Sequence, residues 1–349
     1  MITYDSYTNN LSHIVDRRRI GLWIKRFDTW TQSKEFDFNR IHVATPLSDF
    51  EKLDVDGGKT RLILDMVDGY LVEEAGFFKD YMRNLNREGI FAFIKNPKRY
   101  SDSLVEFCKA CDLITVGSEE QAVIARQFNP NVFPIWDCHD EFGAPKDPFL
   151  QAKESNFNIF WEGLSVTLKH FQECLADLKT FMLKTNSTLN IVTNSQHYRF
   201  SNRYFKVETE RYIKRIFKGL EDQVKFHPWS ITTVQEVSAY CDFGLIPLLA
   251  EDRFARLKPE NKLMIYWRLG LPTLFSDSPA YLRVSHELGL GDFSVPEGMW
   301  DEKLSWLSEN LPVKGRRISS ATKMLREKHN EQAILDKWEE AIQTLARRI

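Results

Sequence analysis

Lys258-Pro259-Glu260-Asn261-Lys262-Leu263-Met264-Ile265-Tyr266-Trp267-Arg268-Leu269-Gly270-Leu271-Pro272-Thr273-Leu274 reads as a polar loop, a helix that stops at a glycine, and an apolar strand. Pro259 suits an early helical position, where a missing N–H costs nothing, and Gly270 suits the stop. A helix start leaves backbone N–H groups unpaired and positively polarised. With Lys258 and Lys262 beside it, this one favours an anion. The run follows another strand, Asp242-Phe243-Gly244-Leu245-Ile246-Pro247-Leu248. In an open parallel sheet, ligands bind beyond the carboxyl ends of strands, which is where Pro247 to Asn261 should lie.

Outward from this stretch, strands and helices alternate. Phe157-Asn158-Ile159-Phe160-Trp161-Glu162-Gly163 is a strand running into a turn. Leu168, Phe171, Leu175, Leu178 and Met182 then recur at helical spacing, giving one apolar face. Further strands are expected at 189–192 and 224–227. The first half begins with a loose polar start, followed by strands at 20–24, 41–44, 60–69, 90–94, 113–116 and 132–136. Continuous apolar runs of this length suit strands buried on both faces. Helices are expected over 101–110 and 119–128, with Ser118 placed to cap the second. The turn Asp56-Gly57-Gly58 precedes the third strand. Such alternation predicts doubly wound parallel sheets.

Gly143-Ala144-Pro145-Lys146-Asp147-Pro148, rich in proline and poor in apolar residues, is the best linker in the chain. The organisation is a first domain over 1–142, a linker over 143–156, a second domain over 157–330 and a terminal helix over 331–349. At 349 residues the chain has the length for two domains, and no internal repeat stands out.

The Pro-Glu-Asn-Lys-Leu run with its Leu-Gly-Leu-Pro ending resembles the donor-site segment of GT-B glycosyltransferases, in particular the family 4-like enzymes of bacterial surface polysaccharide synthesis. The strand and cap over 110–118 and the run Pro134-Ile135-Trp136-Asp137 resemble the same family. The resemblance implies two doubly wound domains facing each other across a cleft, with the last helix crossing back to the first. It implies transfer of a sugar from a nucleotide-sugar donor to a glycan or lipid-linked glycan acceptor, with retention favoured and no metal or other cofactor. Lys169, six residues after Gly163, matches a lysine that binds the donor diphosphate. A fixed cation there stabilises the charge that builds on the leaving diphosphate. The family's arginine directly after that glycine is Leu164 here, and its ribose-binding glutamate is Ile265. Arg253, Arg256, Lys258 and Lys262 are the candidates to make up the cationic charge, with Asn261 and Glu260 orienting the donor. His227 and Trp229 fall near the expected nucleotide base, where an indole can stack. Asp68, in Asp65-x-x-Asp68-Gly69, matches an acceptor-side carboxylate that orients or deprotonates the attacking hydroxyl. Its plain reading is a tight turn, with Asp65 as a cap.

Bulk properties fit this picture. A hydrophobic fraction of 43% and a charged fraction of 28% describe a globular chain, and a net charge of −2 argues against nucleic acid as a partner. No apolar run is long enough to span a bilayer and no signal peptide opens the chain, so a cytoplasmic protein is expected. Two basic, aromatic stretches suggest peripheral membrane contact. One, over 17–30, holds Trp23, Lys25, Arg26, Phe27 and Trp30; the other, over 198–218, holds Arg199, Arg203, Lys206, Arg211, Lys214, Arg215 and Lys218. The five cysteines are scattered, and Cys108-x-x-Cys111 lacks a second pair, so both read as packing residues. A nicotinamide dehydrogenase and a P-loop enzyme are excluded by the absence of their glycine-rich motifs. A non-catalytic nucleotide- or carbohydrate-binding protein on the same scaffold is the alternative.

Overall fold

Short apolar runs become the strands of two open parallel sheets. The computed structural model describes residues 2–6, 13–27, 30–32, 41–50, 60–71, 80–82, 85, 98–143, 153–200 and 204–346. The expected strand at 90–94, the turn at 56–58 and the linker from Ala144 to residue 152 lie outside these. One unit comprises Met1–His139, Leu257–Pro259 and His329–Ile349; the other comprises Asp140–Arg256 and Glu260–Lys328.

In the first unit, β1 (Ile2–Tyr4), β2 (Trp30–Gln32), β3 (Ile41–Ala44), β4 (Arg61–Met66), β5 (Leu113–Val116) and β6 (Val132–Pro134) pair in the order β2-β1-β3-β4-β5-β6. Every neighbouring pair is parallel. The two-residue period of a strand sends Leu62, Leu64, Ile114 and Val116 to one face, where they meet Leu104 and Phe107 of the helix Tyr100–Ala110. Ile63, Leu113 and Val43 go to the other face. There they pack with Ile20, Ile24 and, from the helix Glu331–Ala346, Ile334 and Trp338. Both faces are covered, which is why these strands show no polar alternation. Cys108 and Cys111 are buried among them as free thiols, and burial pushes Cys108 up to about 12.

The first expected strand is a helix. Residues 20–24 belong to Ile20–Phe27, which follows the helix Ile14–Arg18 across a corner at Arg19. Ile20 and Ile24, both buried, stand one helical turn apart. A five-residue apolar run fits either period, and here the helical one prevails. Gly21 makes the corner possible, because a Cβ there would lie 2.1 Å from the Asp16 carbonyl oxygen.

In the second unit, the chain passes through β7 (Asn158–Glu162), β8 (Thr188–Thr193), an antiparallel hairpin of β9 (Gln196–Phe200) and β10 (Tyr204–Glu208), and β11 (Val224–Pro228). It continues through β12 (Phe243–Ile246), β13 (Thr273–Ser276) and β14 (Ser294–Val295). The sheet order is β11-β8-β7-β12-β13-β14, all parallel. The chain winds outward from β7 through β8 to β11, then restarts at β12 and winds the other way. The topological switch point therefore lies between β7 and β12. The apolar periodicity of 168–182 is split into a 3₁₀ helix Ser165–Glu173 and an α-helix Leu175–Thr185, which meet at Cys174.

The helix of the quoted stretch runs Asn261–Arg268, and Leu263 to Trp267 are all buried, since it lies between the sheet and the helix Leu311–Lys328. Gly270 ends it with φ +74°, a left-handed turn that glycine adopts without strain. Pro259 is not helical. It belongs to the first unit, where it closes on Gly117 so tightly that a Cβ there would lie 2.9 Å from the proline ring.

A buried charge network ties the first unit together. The fully buried Arg19 donates to Asp65 at 2.6 Å and to the Ile135 carbonyl, and reaches Asp137 at 3.5 Å. Thr115 Oγ1 also donates to Asp65, at 2.8 Å. Burial pushes the Asp137 carboxyl up despite the guanidinium beside it. Asp65→Ala would leave Arg19 buried with most of its compensation gone, and should destabilise the unit by about 3–5 kcal/mol. Urea unfolding checks this; a loss below about 1 kcal/mol, the scale of a surface pair, would contradict it.

Candidate functional site

The strand β7 ends at the switch point, and Gly163 is the first residue beyond it. A Cβ at 163 would lie 2.6 Å from Lys262 Nζ and 3.1 Å from the indole of Trp161. The ammonium therefore occupies the space that any other residue would fill. It also stands 4.8 Å from the centroid of the buried Trp161 ring, a cation–π distance. Lys262 is the second residue of its helix, so the ammonium stands at the positively polarised end of that element. Gly163 and Lys262, the two positions the resemblance singled out on separate stretches, are thus in direct contact.

The residue before Gly163 is also held. Glu162 N–H donates to Tyr266 Oη at 2.6 Å, and Glu162 Oε1 accepts from Trp229 Nε1 at 2.8 Å. Burial, with the Glu162 charge nearby, pushes the Tyr266 phenol well above its ordinary range, so it stays neutral and able to donate or accept. Trp229 is anchored by its own N–H to the Thr193 carbonyl at 2.9 Å. Its indole edge is directed at Glu162, where the sequence suggested a stacking face.

Lys169, in the 3₁₀ helix after β7, pairs at 2.6 Å with Asp252 of the loop after β12 while 48% exposed. Burial favours the protonated form of Asp252, but hydrogen bonds from Lys169 and the Ala255 N–H outweigh it and hold the carboxyl below its usual range. His170 Nδ1 accepts from Leu249 N–H at 3.3 Å, fastening the same two loops. Arg253 and Arg256 bound the short helix that follows. Glu260 departs from expectation. It is fully buried, with Oε1 2.7 Å from Arg283 of the helix Pro279–Glu287, and offers no exposed surface to a donor. Asn261 starts the helix beside it. His227 pairs with Asn190 of β8 at 3.1 Å, and burial, then Lys225, pulls its imidazole down.

In the first unit, Asp68 follows β4 and Lys258 Nζ stands 3.6 Å from its Oδ1, both about one-third exposed. Lys258 thus sits at the carboxylate expected for the acceptor. Met66, Leu71, Ile124 and Leu257 line a shallow apolar recess beside Asp68. Gln121, which the sequence did not mark, organises it. Its Nε2 donates to the Val67 and Leu257 carbonyls at 2.9 and 3.0 Å, and its Oε1 accepts from Gly117 N–H at 2.9 Å. A glutamine three residues after a Ser N-cap was the available signal, since Ser118 Oγ accepts from Gln121 N–H. Asp65 belongs to the buried network and faces no solvent. Of the basic stretches, 17–30 turns Arg18 and Arg19 inward, and 198–218 is divided between the hairpin and the helix Thr209–Ile216. No helix among the described residues is long and apolar enough to cross a membrane.

No protein-family model matches the chain, and no curated protein matches it. Solved structures do. A mutant of S. aureus TarM in complex with fondaparinux, α-GlcNAc-glycerol and UDP is 14% identical, with a TM-score of 0.60 over 86% of this chain and 55% of that one. Anabaena HepE in complex with UDP is 13% identical, with a TM-score of 0.58 over 87% of this chain and 79% of that one. The fold is GT-B. The pneumococcal O-GlcNAc transferase GtfA, in complex with UDP and GlcNAc, shares it at 13% identity, with a TM-score of 0.56 over 94% of this chain and 60% of GtfA. The chain spans little more than half the length of TarM. In an open parallel sheet the switch point is the place where ligands generally bind, and here it carries Gly163, Lys262 and the Lys169–Asp252 pair.

Gly163→Ala should displace Lys262 without unfolding the unit, because the atom a Cβ meets first is the end of a flexible side chain. A phosphate ligand that contacts the Lys262 ammonium should bind about tenfold more weakly, as expected for losing one charge-assisted hydrogen bond, with the melting temperature nearly unchanged. Calorimetry beside thermal unfolding checks this, and full retention of affinity would contradict it.

Proposed function

We propose that the protein is a glycosyltransferase that moves a sugar from a nucleotide-sugar to a hydroxyl of a glycan or lipid-linked glycan, in the assembly of a surface polysaccharide. The observation that carries the reading is the Lys262 ammonium held against Gly163 at the switch point of a GT-B second domain. In the reaction, the bond from the anomeric carbon to the diphosphate oxygen breaks and a bond to the acceptor oxygen forms. Negative charge builds on the departing diphosphate, and Lys262, the helix start at Asn261 and Lys169 are its counter-charges. Lys169 reaches a phosphate by exchanging Asp252 for it, with Arg253 and Arg256 adding to the local positive field. The acceptor proton passes to the leaving phosphate in a retaining reaction, which we favour, while Asp68 orients the acceptor hydroxyl. The apolar recess beside Asp68 suits the less polar part of a lipid-linked acceptor. We place the protein in the cytoplasm, working at the inner face of the membrane.

Leu164, 63% exposed at the position after Gly163, favours the competing reading of a binding protein without catalysis, because the site is one cation short. Two measurements apply, one to the shared site and one to the choice between the readings. Replacing Lys169 and Lys262 together by alanine should abolish calorimetric binding of nucleotide-sugars, and unchanged affinity would remove the donor-site assignment from both. Time-dependent release of nucleoside diphosphate from a nucleotide-sugar supports the transferase. Tight binding with no turnover on any acceptor would favour the binding protein.

A further inference from the structure

Glu162 stands one residue before the glycine of the cationic site, at the carboxyl end of a central strand, and only half of its carboxylate is committed. Oε1 takes the indole N–H of Trp229 at 2.8 Å. The backbone is fastened separately, with the N–H donating to Tyr266 Oη at 2.6 Å, so the side chain does not hold the strand end in place. Oε2 has no hydrogen-bond partner among the described residues and lies on a half-buried side chain that reaches solvent. Trp229 is itself tied to Thr193 at the end of β8, so the indole presents its N–H from a fixed place and sets the carboxylate rotamer.

A carboxylate fixed next to a phosphate subsite repels phosphate but binds neutral hydroxyl groups well, since hydrogen bonds to an ionised acceptor are short and strong. A nucleotide-sugar carries hydroxyls on either side of its diphosphate, on the ribose and on the sugar. We propose that Glu162 is a donor-recognition residue, whose Oε2 accepts a hydroxyl of the nucleotide's ribose or of the transferred sugar, with Trp229 as the positioning residue that aims it. This rests on the donor-site reading above, and adds the residue that distinguishes a nucleotide-sugar from a bare polyphosphate.

The test begins with calorimetry of the wild-type protein against UDP, GDP, ADP and CDP and their 2′-deoxy forms, then against the nucleotide-sugars of the base that binds best. If the ribose is the source, Glu162→Gln weakens the ribonucleotide about tenfold, in the range of a lost charged hydrogen bond, and erases the preference over the 2′-deoxy form. If the sugar is the source, the diphosphates are unaffected and the nucleotide-sugar alone weakens by about the same factor. Trp229→Phe keeps the charge but frees the rotamer. It should give a smaller loss on the same ligand, and it decides the matter if the glutamine variant fails to fold. Glu162→Gln that changes no affinity, or weakens every ligand equally, overturns the role of Glu162. Wild-type protein that binds none of the diphosphates overturns the donor-site reading itself.

Discussion

The space beside the α-carbon of residue 163 is filled by the ammonium of Lys262 and walled by Trp161, and that crowding sets how the end of β7 meets the helix Asn261–Arg268. A cation so placed needs three things from the fold. The strand must end there without a side chain, a helix must begin within reach, and an aromatic face must stabilise the charge. The parallel sheet provides the first two, because its switch point brings the end of β7 and the segment after β12 together. Trp161, buried one strand position from Glu162, provides the third.

The same sheet end is stiffened by hydrogen bonds between segments far apart in sequence. Tyr266 reaches the β7 backbone, His170 reaches Leu249, and Asn194 Oδ1 accepts from Ser165 N–H at 2.8 Å. Each bond joins covalently distant parts of the chain, so the segments that carry Lys169 and Lys262 are tied to their neighbours. Preorganisation of this kind is what allows fixed charges to act on a reaction without first rearranging. The first unit has its own version, in which Gln121 gathers Val67, Gly117 and Leu257 around Asp68. Arg19 is meanwhile buried beneath the sheet with Asp65 and Asp137.

Much of this was legible in the residues. Buried parallel strands announce themselves as apolar runs, and Gly270 and Ser118 mark helix ends through conformational needs that few residues meet. The misreadings have a common cause. Residues 20–24 are too few to distinguish the periods of helix and strand, and only packing of Ile20 and Ile24 against the C-terminal helix settles it. Glu260 reads as a residue that orients the donor because the sequence does not reveal Arg283, which comes from the next crossover and takes its carboxylate. Asp65 looks like Asp68 until the sheet turns one inward to Arg19 and leaves the other at the rim. Glu162 and Gln121 escaped notice because their importance lies in partners far away in sequence, Trp229 and Leu257, which periodicity cannot connect.

A crystal structure with a nucleoside diphosphate soaked into the protein would show whether Lys262 is the phosphate ligand. The β-phosphate should lie within hydrogen-bond distance of Lys262 Nζ and face the backbone at Gly163, with the helix start at Asn261 directed toward it. A diphosphate bound elsewhere in the second unit, with the Lys262 ammonium still over Trp161 and untouched by the ligand, would contradict it.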